Sequence, residues 1–280
     1  MYVCGITGSS GVLGKEFISR YKKKINFKKF LGDIKNFNDV KKWVQKNNFD
    51  FIIHLAAVVP TNVVEKNLIE ARKVNVIGSI NLAKAILDSK KNTWFFYSST
   101  SHVYQSKNNK KKLTENSKLK PYTKYGKTKL EAENLLISEF KKNKKKNYLC
   151  IGRIFSFTNY NQKKSFLIPS LVEKIKKEKK INLKNLNHYR DFLSVKDICS
   201  AIWILMKKKK FGIINICSGK PINLTDVAKI ISYKLKKDLK IKNSKKFTYL
   251  VGNNLKLRKL GWVRTKKIDG ILSDYLLNRK

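Results

Sequence analysis

Tyr125 and Lys129 lie four residues apart in the segment Tyr125-Gly126-Lys127-Thr128-Lys129, which opens a predicted helix. Residues at i and i+4 share one helix face, so a phenol and an ammonium are presented together. A phenol ordinarily titrates at about pH 10. A neighbouring ammonium and a positive nicotinamide ring both favour the phenolate. Such a group can take a proton from an alcohol as hydride leaves the same carbon, or return it in the reverse direction. A hydroxyl cluster, Ser98-Ser99-Thr100-Ser101, lies upstream. A second motif, Thr7-Gly8-Ser9-Ser10-Gly11-Val12-Leu13-Gly14, follows an apolar N-terminal run. Its glycines permit a tight turn and close backbone approach to a phosphate, and the helix after it points free N–H groups at an anion. Together the two motifs describe a nicotinamide-dependent redox site.

The elements that must position these groups alternate between strand and helix signals, the pattern of a doubly wound parallel α/β sheet. Strands are predicted at Tyr2–Ile6, Lys29–Asp33, Asp50–Ala57, Thr93–Ser98, Asn147–Ile154 and Gly212–Cys217. Helices are predicted at 11–24, 38–46, 67–89 with a break near Gly78, 122–142, 166–179, 195–209, 224–236, 254–260 and 267–277. Residues 108–120 read as a polar, Lys-rich loop, and Lys141–Lys146 as a solvated turn. After Phe155 the pattern is irregular. A division therefore follows: a dinucleotide-binding Rossmann domain over 1–155 and a smaller substrate lobe over 156–280, with about 194–217 returning to the main sheet.

Composition narrows the function. A chain of 280 residues with 42% hydrophobic residues suits one such domain with an appended lobe. No run of 18 apolar residues occurs, and the start lacks a basic segment before an apolar one. No membrane span or signal peptide is expected, and the location expected is cytoplasmic. The net charge of +44 suggests nucleic acid, but only seven of the 63 basic residues are Arg. Arg is the better fork for phosphate and base edges. Lys is spread along the chain with Asn, Ile, Phe and Tyr, residues with AT-rich codons, so genome composition accounts for the bias and no nucleic-acid role is expected. Cys4, Cys150, Cys199 and Cys217 show no C-x-x-C spacing, and His54, His102 and His188 are far apart. Reduced core thiols and no metal site are expected.

The Gly8-x-x-Gly11-x-x-Gly14 spacing with Thr7 before it resembles the extended short-chain dehydrogenase/reductases. Further matches follow in order: Gly32-Asp33-Ile34, His54-Leu55-Ala56-Ala57, Asn75-Val76-Ile77-Gly78, Ser98-Ser99-Thr100 with Val103-Tyr104, Arg190-Asp191-Phe192 with Val195 and Asp197, Asn215 to Gly219, and Leu260-Gly261-Trp262. The resemblance spans nearly the whole chain and is to the NAD-dependent epimerase/dehydratase branch, which acts on nucleotide sugars. It implies NAD or NADP as cofactor, held by Gly8, Ser10, Gly11, Val12, Leu13 and Gly14. It places Asp33 and Ile34 at the adenine, Leu55, Ala56 and Ala57 under the cofactor, and Ser98, Tyr125 and Lys129 beside it. Asn75 helps to fix the central strands. Lys129 holds the ribose hydroxyls, and Thr100 orients the substrate oxygen, which makes Thr100, Tyr125 and Lys129 the catalytic set.

The substrate side implied is Thr100, Ser101, His102, Ser156 and Arg190, with Arg190 gripping the nucleotide-sugar diphosphate unless it pairs with Asp191. His188 and Tyr189 are candidates for the same pocket. This chain departs from the pattern in three places. Gln105 stands where Gly is usual, and Ser156 where many relatives have Asn. Ser101 and His102 follow Thr100 where 4,6-dehydratases carry acids, which argues against water elimination. His102 is either a proton carrier or a polar wall. The second strand is compressed, as in reductases of 4-keto-deoxysugar nucleotides. No acidic residue has an obvious place at the ribose 2′-hydroxyl, while Lys28 or Lys29 is placed to meet a 2′-phosphate. The expected activity is a nucleotide-sugar epimerase or 4-keto-sugar reductase. A non-catalytic NAD(P)-binding sensor or scaffold would have no need of the proton relay. A homodimer is expected through the 67–89 and 122–142 helices, with Ile80, Leu82, Ile86, Leu135, Leu136 and Ile137 exceeding what one buried face needs; these residues could equally meet the sheet.

Overall fold

The computed structural model describes residues 1–59, 61–106, 108–178 and 181–278. The expected end of one helix at Lys179 lies outside them. Strands β1 (Tyr2–Thr7), β2 (Ile25–Lys29), β3 (Phe51–His54), β4 (Trp94–Thr100), β5 (Leu149–Ile154) and, later in the chain, β9 (Gly212–Ile216) form one sheet. Its order is β2-β1-β3-β4-β5-β9, and every pairing is parallel. A strand that is buried on both faces reads as an apolar run rather than an alternating one. The all-buried Phe51–His54 is such a strand.

Helices cover both faces. Helices α1 (Val12–Tyr21) and α8 (Val195–Lys207) pack on one side, where Phe17, Ile198 and Ile202 meet Phe51, Ile53 and Phe96. Helices α2 (Phe37–Asn47), α5 (Gly78–Leu87) and α6 (Lys124–Lys142) pack on the other, where Val44, Leu82 and Leu136 meet Ile52, Phe95 and Ile151. Alternate residues of β3 and β4 thus point into opposite layers, as period-two geometry requires.

Two sequence expectations shift. The second strand runs Ile25–Lys29 rather than Lys29–Asp33. Ile25 and Phe27 anchor it against Phe17 and Tyr21, and the chain turns away at Gly32. The predicted helix over 67–89 is broken at a different place. It is built as α4 (Leu68–Arg72), one π-helical turn over Lys73–Ile77, and α5, and a further short helix, α3 (Thr61–Lys66), precedes it. Gly78 continues the helix and lies close against Ile34: a Cβ there would meet Ile34 Cγ2 at 2.8 Å.

The second half is more regular than its pattern suggests. Strand β8 (His188–Ser194) is central to a four-stranded sheet. It pairs in parallel with β6 (Ser156–Thr158) and β12 (Thr248–Leu250), and antiparallel with β10 (Pro221–Asn223). Helices α7 (Leu167–Lys177), α9 (Leu224–Lys234) and α11 (Ile268–Asn278) gather around Phe192, Ile181 and Leu183 in a separate apolar cluster. Strands β7 (Ile181–Lys184) and β11 (Leu239–Lys242) form a parallel pair beside it, and α10 (Leu255–Arg258) packs near β9. No described helix is long and apolar enough to cross a membrane.

Candidate active site

Strand β1 delivers the glycine loop. Gly8 has φ +70°, and a Cβ on it would meet Ala56 N at 2.6 Å, so only glycine lets the loop back onto the β3 exit. A Cβ on Gly14 would strike Gly8 O and lie 2.8 Å from Ser9 Cα. Gly11 precedes helix α1 as its N-terminal cap, with an extended backbone and no side chain to satisfy the first turn. The first-turn N–H groups of Val12, Leu13 and Gly14 are therefore left for an external acceptor. A Cβ on Gly11 would meet nothing nearer than Gly8 O at 3.3 Å. This cradle fits a pyrophosphate.

The β3 exit is pinned from behind. Thr7 Oγ1 lies 2.6 Å from His54 Nδ1 and accepts from Ala56 N at 3.3 Å. His54 Nε2 is 2.9 Å from Ser79 Oγ. Burial, with the charge of Lys129, pushes the His54 imidazole down to about 3, so it stays neutral. Asn75 is fully buried. It accepts from Val58 N at 2.8 Å and donates to Val58 O at 3.0 Å and to Thr128 Oγ1 at 3.2 Å. Asn75 thus ties the β3 exit loop to α6, rather than strand to strand.

Strand β4 ends at Thr100, whose hydroxyl accepts from His102 N at 3.3 Å and opens a short 3₁₀ turn over Ser101–Val103. Helix α6 is capped by Thr123, which accepts from Gly126 N at 3.0 Å. Gly126 explains how the two elements meet: a Cβ on it would collide with His102 O and lie 3.0 Å from Pro121 Cβ. That contact sets Tyr125 beside Thr100 and His102; the His102 and Tyr125 rings are 6.1 Å apart, edge to face.

The electrostatics differ from the sequence expectation. Burial raises the Tyr125 phenol to about 12, and a hydrogen bond with Thr100 pulls the other way. Burial lowers the Lys129 ammonium to about 7, with Glu133 opposing. Desolvation is therefore the larger influence on both groups. The Lys129 Nζ lies 4.1 Å from the centre of the Tyr97 ring. His102 faces the cavity, and desolvation with the Arg190 charge pushes it down to about 4, so its ring is neutral near pH 7.

These groups open on a cavity of about 320 Å³. Leu13, Leu55, Ala57, Ser98, Thr100, Ser101, His102, Tyr125, Lys129, Ser156 and Arg190 all line it. Gly8, Ser10 and Gly11 in the adjoining loop, Val12 and Gly14 in the first turn of α1, and Ala56 at the β3 exit lie beside the wall rather than in it. Asp33 is exposed in the turn that follows β2, where its carboxylate accepts from Lys35 N at 3.0 Å; Ile34 is buried in the core. Arg190 does not pair with Asp191. Its Nη1 donates to Tyr189 O at 2.9 Å and Thr248 Oγ1 at 3.0 Å. Asp191 is buried and accepts from Ser218 N, Gly219 N and Gly252 N at 2.7, 2.9 and 3.3 Å. His188 turns to Thr248, and Tyr189 packs between Phe247 and Tyr249, so neither reaches the cavity wall.

Sequence reasoning missed Phe155, Phe157, Gln162 and Phe166, which also line the wall. It also missed the buried pair Glu133 and Arg153 behind it. Glu133 follows Lys129 by one turn on the same face, which was the available signal. Nearby Glu131, similar in sequence context, instead pairs with Arg72 at the surface.

The family profile for GDP-mannose 4,6 dehydratase matches residues 15–274. The chain is 31% identical over 229 residues to GDP-6-deoxy-D-talose 4-dehydrogenase of Aggregatibacter actinomycetemcomitans, covering 76% of this chain and 74% of that protein. Among solved structures, RMD from Pseudomonas aeruginosa complexed with NADPH superposes with a TM-score of 0.86 at 21% identity, over 98% of this chain and 99% of that one. Thermus thermophilus UDP-glucose 4-epimerase in complex with NAD gives 0.85 at 16% identity, over 98% and 99%. The superpositions establish a shared fold, and the profile match, running from the first helix to the last, establishes descent: the chain belongs to the GDP-mannose 4,6 dehydratase family of extended short-chain dehydrogenase/reductases.

Proposed function

We propose that this chain is an NAD(P)-dependent enzyme that oxidises or reduces a sugar carbon of a nucleotide sugar without eliminating water, as an epimerase or as a 4-keto-deoxysugar nucleotide reductase. One observation carries the reading. Thr100, Tyr125 and Lys129 converge at a cavity that Arg190 also faces, and among the described residues no carboxylate lines it. Elimination of water needs an acid for the leaving hydroxyl and a base for a carbon-bound proton. Ser101 and a neutral His102 supply neither readily.

Gly8, Ser10, Gly11, Val12, Leu13 and Gly14 would hold the pyrophosphate of the dinucleotide, with Asp33 toward the adenine, Ile34 behind it in the core, and Leu55, Ala56, Ala57 and Ser98 toward the nicotinamide. Asn75 supports that side from behind. When bound, the dinucleotide supplies or accepts hydride at the sugar carbon. Tyr125 moves the proton at the sugar hydroxyl oxygen, and Thr100 orients that oxygen. Lys129 holds the ribose hydroxyls. Arg190, which burial affects without an opposing carboxylate, is placed for a diphosphate. Ser156 and His102 offer neutral polar contacts to the sugar.

The relative named as a 4-dehydrogenase favours oxidation–reduction at carbon 4, and the solved neighbours named with NADPH and NAD support either dinucleotide. We infer a homodimer through α5 and α6 as well. The test of the activity is incubation with nucleotide-activated hexoses and 4-keto-6-deoxyhexoses, with NAD(H) and NADP(H), and products read by NMR. Epimers or reduced sugars are expected. A 4-keto-6-deoxy product from an ordinary hexose would overturn the reading.

A further inference from the structure

Behind the cavity a chain of buried polar groups crosses five segments. Glu133 and Arg153 are each 1% exposed. Arg153 Nη2 donates to Glu133 Oε2 at 2.7 Å, and Nε donates to Oε1 and Oε2 at 3.1 and 3.2 Å. Ser99 Oγ donates to Glu133 Oε1 in a short contact. Arg153 Nη1 donates to Tyr104 Oη at 3.0 Å and to Glu115 O at 3.1 Å. Tyr104 Oη donates to Asn215 Oδ1 at 2.6 Å, and Asn215 Nδ2 to Leu113 O at 3.0 Å. Every link joins a different segment: α6, β4, β5, the 3₁₀ exit and β9.

Its position relative to the cavity is specific. Ser99 immediately precedes Thr100 at the end of β4, and Glu133 stands one turn after Lys129, two after Tyr125. The carboxylate therefore joins the strand that carries the hydroxyl to the helix that carries the phenol and the ammonium. A buried charge pair of this kind is weak evidence for stability, because apolar residues of similar volume often serve as well. Its place, tied to β4 through Ser99 and to β5 through Arg153, suits it to hold these elements in register.

We propose that Glu133, clamped by Arg153, is a positioning residue of the active site: it fixes Thr100 relative to Tyr125 and Lys129 and supplies the negative charge that Lys129 meets. The catalytic part of this rests on the proposed activity. The charged and titratable groups around Lys129 are Glu133 and Tyr125 on its own helix, Tyr97 on β4 and His54 on β3. His54 is held neutral by burial, so Glu133 is the carboxylate acting on it.

Two variants test this. Glu133→Gln alone would leave Arg153 buried and unpaired, so Glu133→Leu/Arg153→Met removes both charges. Ser99→Ala cuts only the tie to β4. The first readout needs neither cofactor nor turnover: ε-¹³C-lysine NMR, with the Lys129 signal displaced by the Tyr97 ring and assigned through Lys129→Met. Its titration midpoint should fall by about one pH unit in the double variant and stay unchanged in Ser99→Ala. The second readout is turnover of the nucleotide sugar found active with the wild type. Both variants should lose kcat, on the order of 10–10²-fold for a misplacement of this kind, with KM changed much less. Folded variants whose midpoint and kcat both match the wild type would show a structural pair and overturn the proposal. A wild type inactive on every nucleotide sugar would refute the proposed activity, while the NMR midpoint still decides the role of Glu133.

Discussion

The Lys129 ammonium stands 4.1 Å from the centre of the Tyr97 ring, a cation seated on an aromatic face inside the protein. Burial lowers its proton affinity to about 7 from the usual 10.5. An unfolded chain would hold that proton up to its ordinary value. Between about pH 7 and 10.5 the unfolded state therefore binds more protons, and stability contributed by this residue rises with pH. Below pH 7 both states are protonated and the folded state carries the full desolvation penalty. At about 1.4 kcal/mol per tenfold change in proton affinity, the effect is on the order of several kcal/mol. Urea melts of the cofactor-free protein at pH 6.5 and 9.5, referenced to Lys129→Met, should show the wild type gaining stability relative to the variant at the higher pH. A pH-independent difference would contradict the burial of a titrating Lys129.

Gly11→Val should abolish dinucleotide binding and leave the domain folded. The Gly11 backbone is extended, with φ −72° and ψ 167°, which valine adopts readily. Its Cβ would have room beside Gly8 O, but the branched methyls would occupy the cradle in front of the α1 N–H groups. Gly14→Ala should behave differently and destabilise the fold, because its Cβ collides with the Gly8 carbonyl. Calorimetric titration with NAD⁺ and NADPH, alongside thermal melts, separates the two outcomes. Undiminished affinity in a folded Gly11→Val protein would remove the loop from the binding site.

Tyr125→Phe removes the ionisable group and keeps the ring against Val64 and Ala71. General acid–base groups contribute roughly 10²–10⁴-fold, so the loss should fall on kcat. Thr100→Val, which deletes the hydroxyl beside the phenol, should also lower kcat and should raise the pH at which Tyr125 ionises, since that hydroxyl is the influence pulling it down. Near-normal turnover by Tyr125→Phe on the true substrate would assign the proton transfer elsewhere.

The parts of this architecture that sequence could reach are those with local spacing. Tyr125 and Lys129 sit on one helix face because four residues make about one turn. Gly8, Gly11 and Gly14 follow an apolar strand directly. Strands β6, β10 and β12 were not legible, because three residues carry no periodic signal; only their pairing with β8 defines them. Glu133 and Glu131 look alike in Leu130-Glu131-Ala132-Glu133, yet one is buried and one meets Arg72 at the surface. Their difference depends on Arg153, twenty residues away. The pull of burial on the Tyr125 phenol and the Lys129 ammonium was not legible for a related reason: desolvation is a property of the packed site, and it is the largest influence on both groups.

The dimer prediction can now be narrowed to particular side chains. Of the six apolar residues singled out on the two helices, Leu82, Ile86 and Leu136 are spent on the protein's own sheet layer and are fully buried. Leu135 and Ile137 remain 40% and 39% exposed on α6, and Ile77, at the α5 entry, is 40% exposed. Ile69 on α4, beside α6, is 73% exposed. Helices α4 and α5 both pack against α6, which puts Ile69, Ile77 and Leu135 on neighbouring elements, whereas Ile137, about 200° around α6 from Leu135, faces a separate groove with Phe140, Leu149 and Phe211. Scattered exposed apolar residues are ordinary, but a cluster on adjoining helices marks an interaction surface. Ile69→Glu/Leu135→Glu places two like charges on that face, and a twofold interface would bring four together. Sedimentation at micromolar concentration should give a dimer for the wild type and a monomer for the double variant, with the fold intact by circular dichroism. A wild type that sediments as a monomer, or a variant that stays dimeric, would move the interface off these helices.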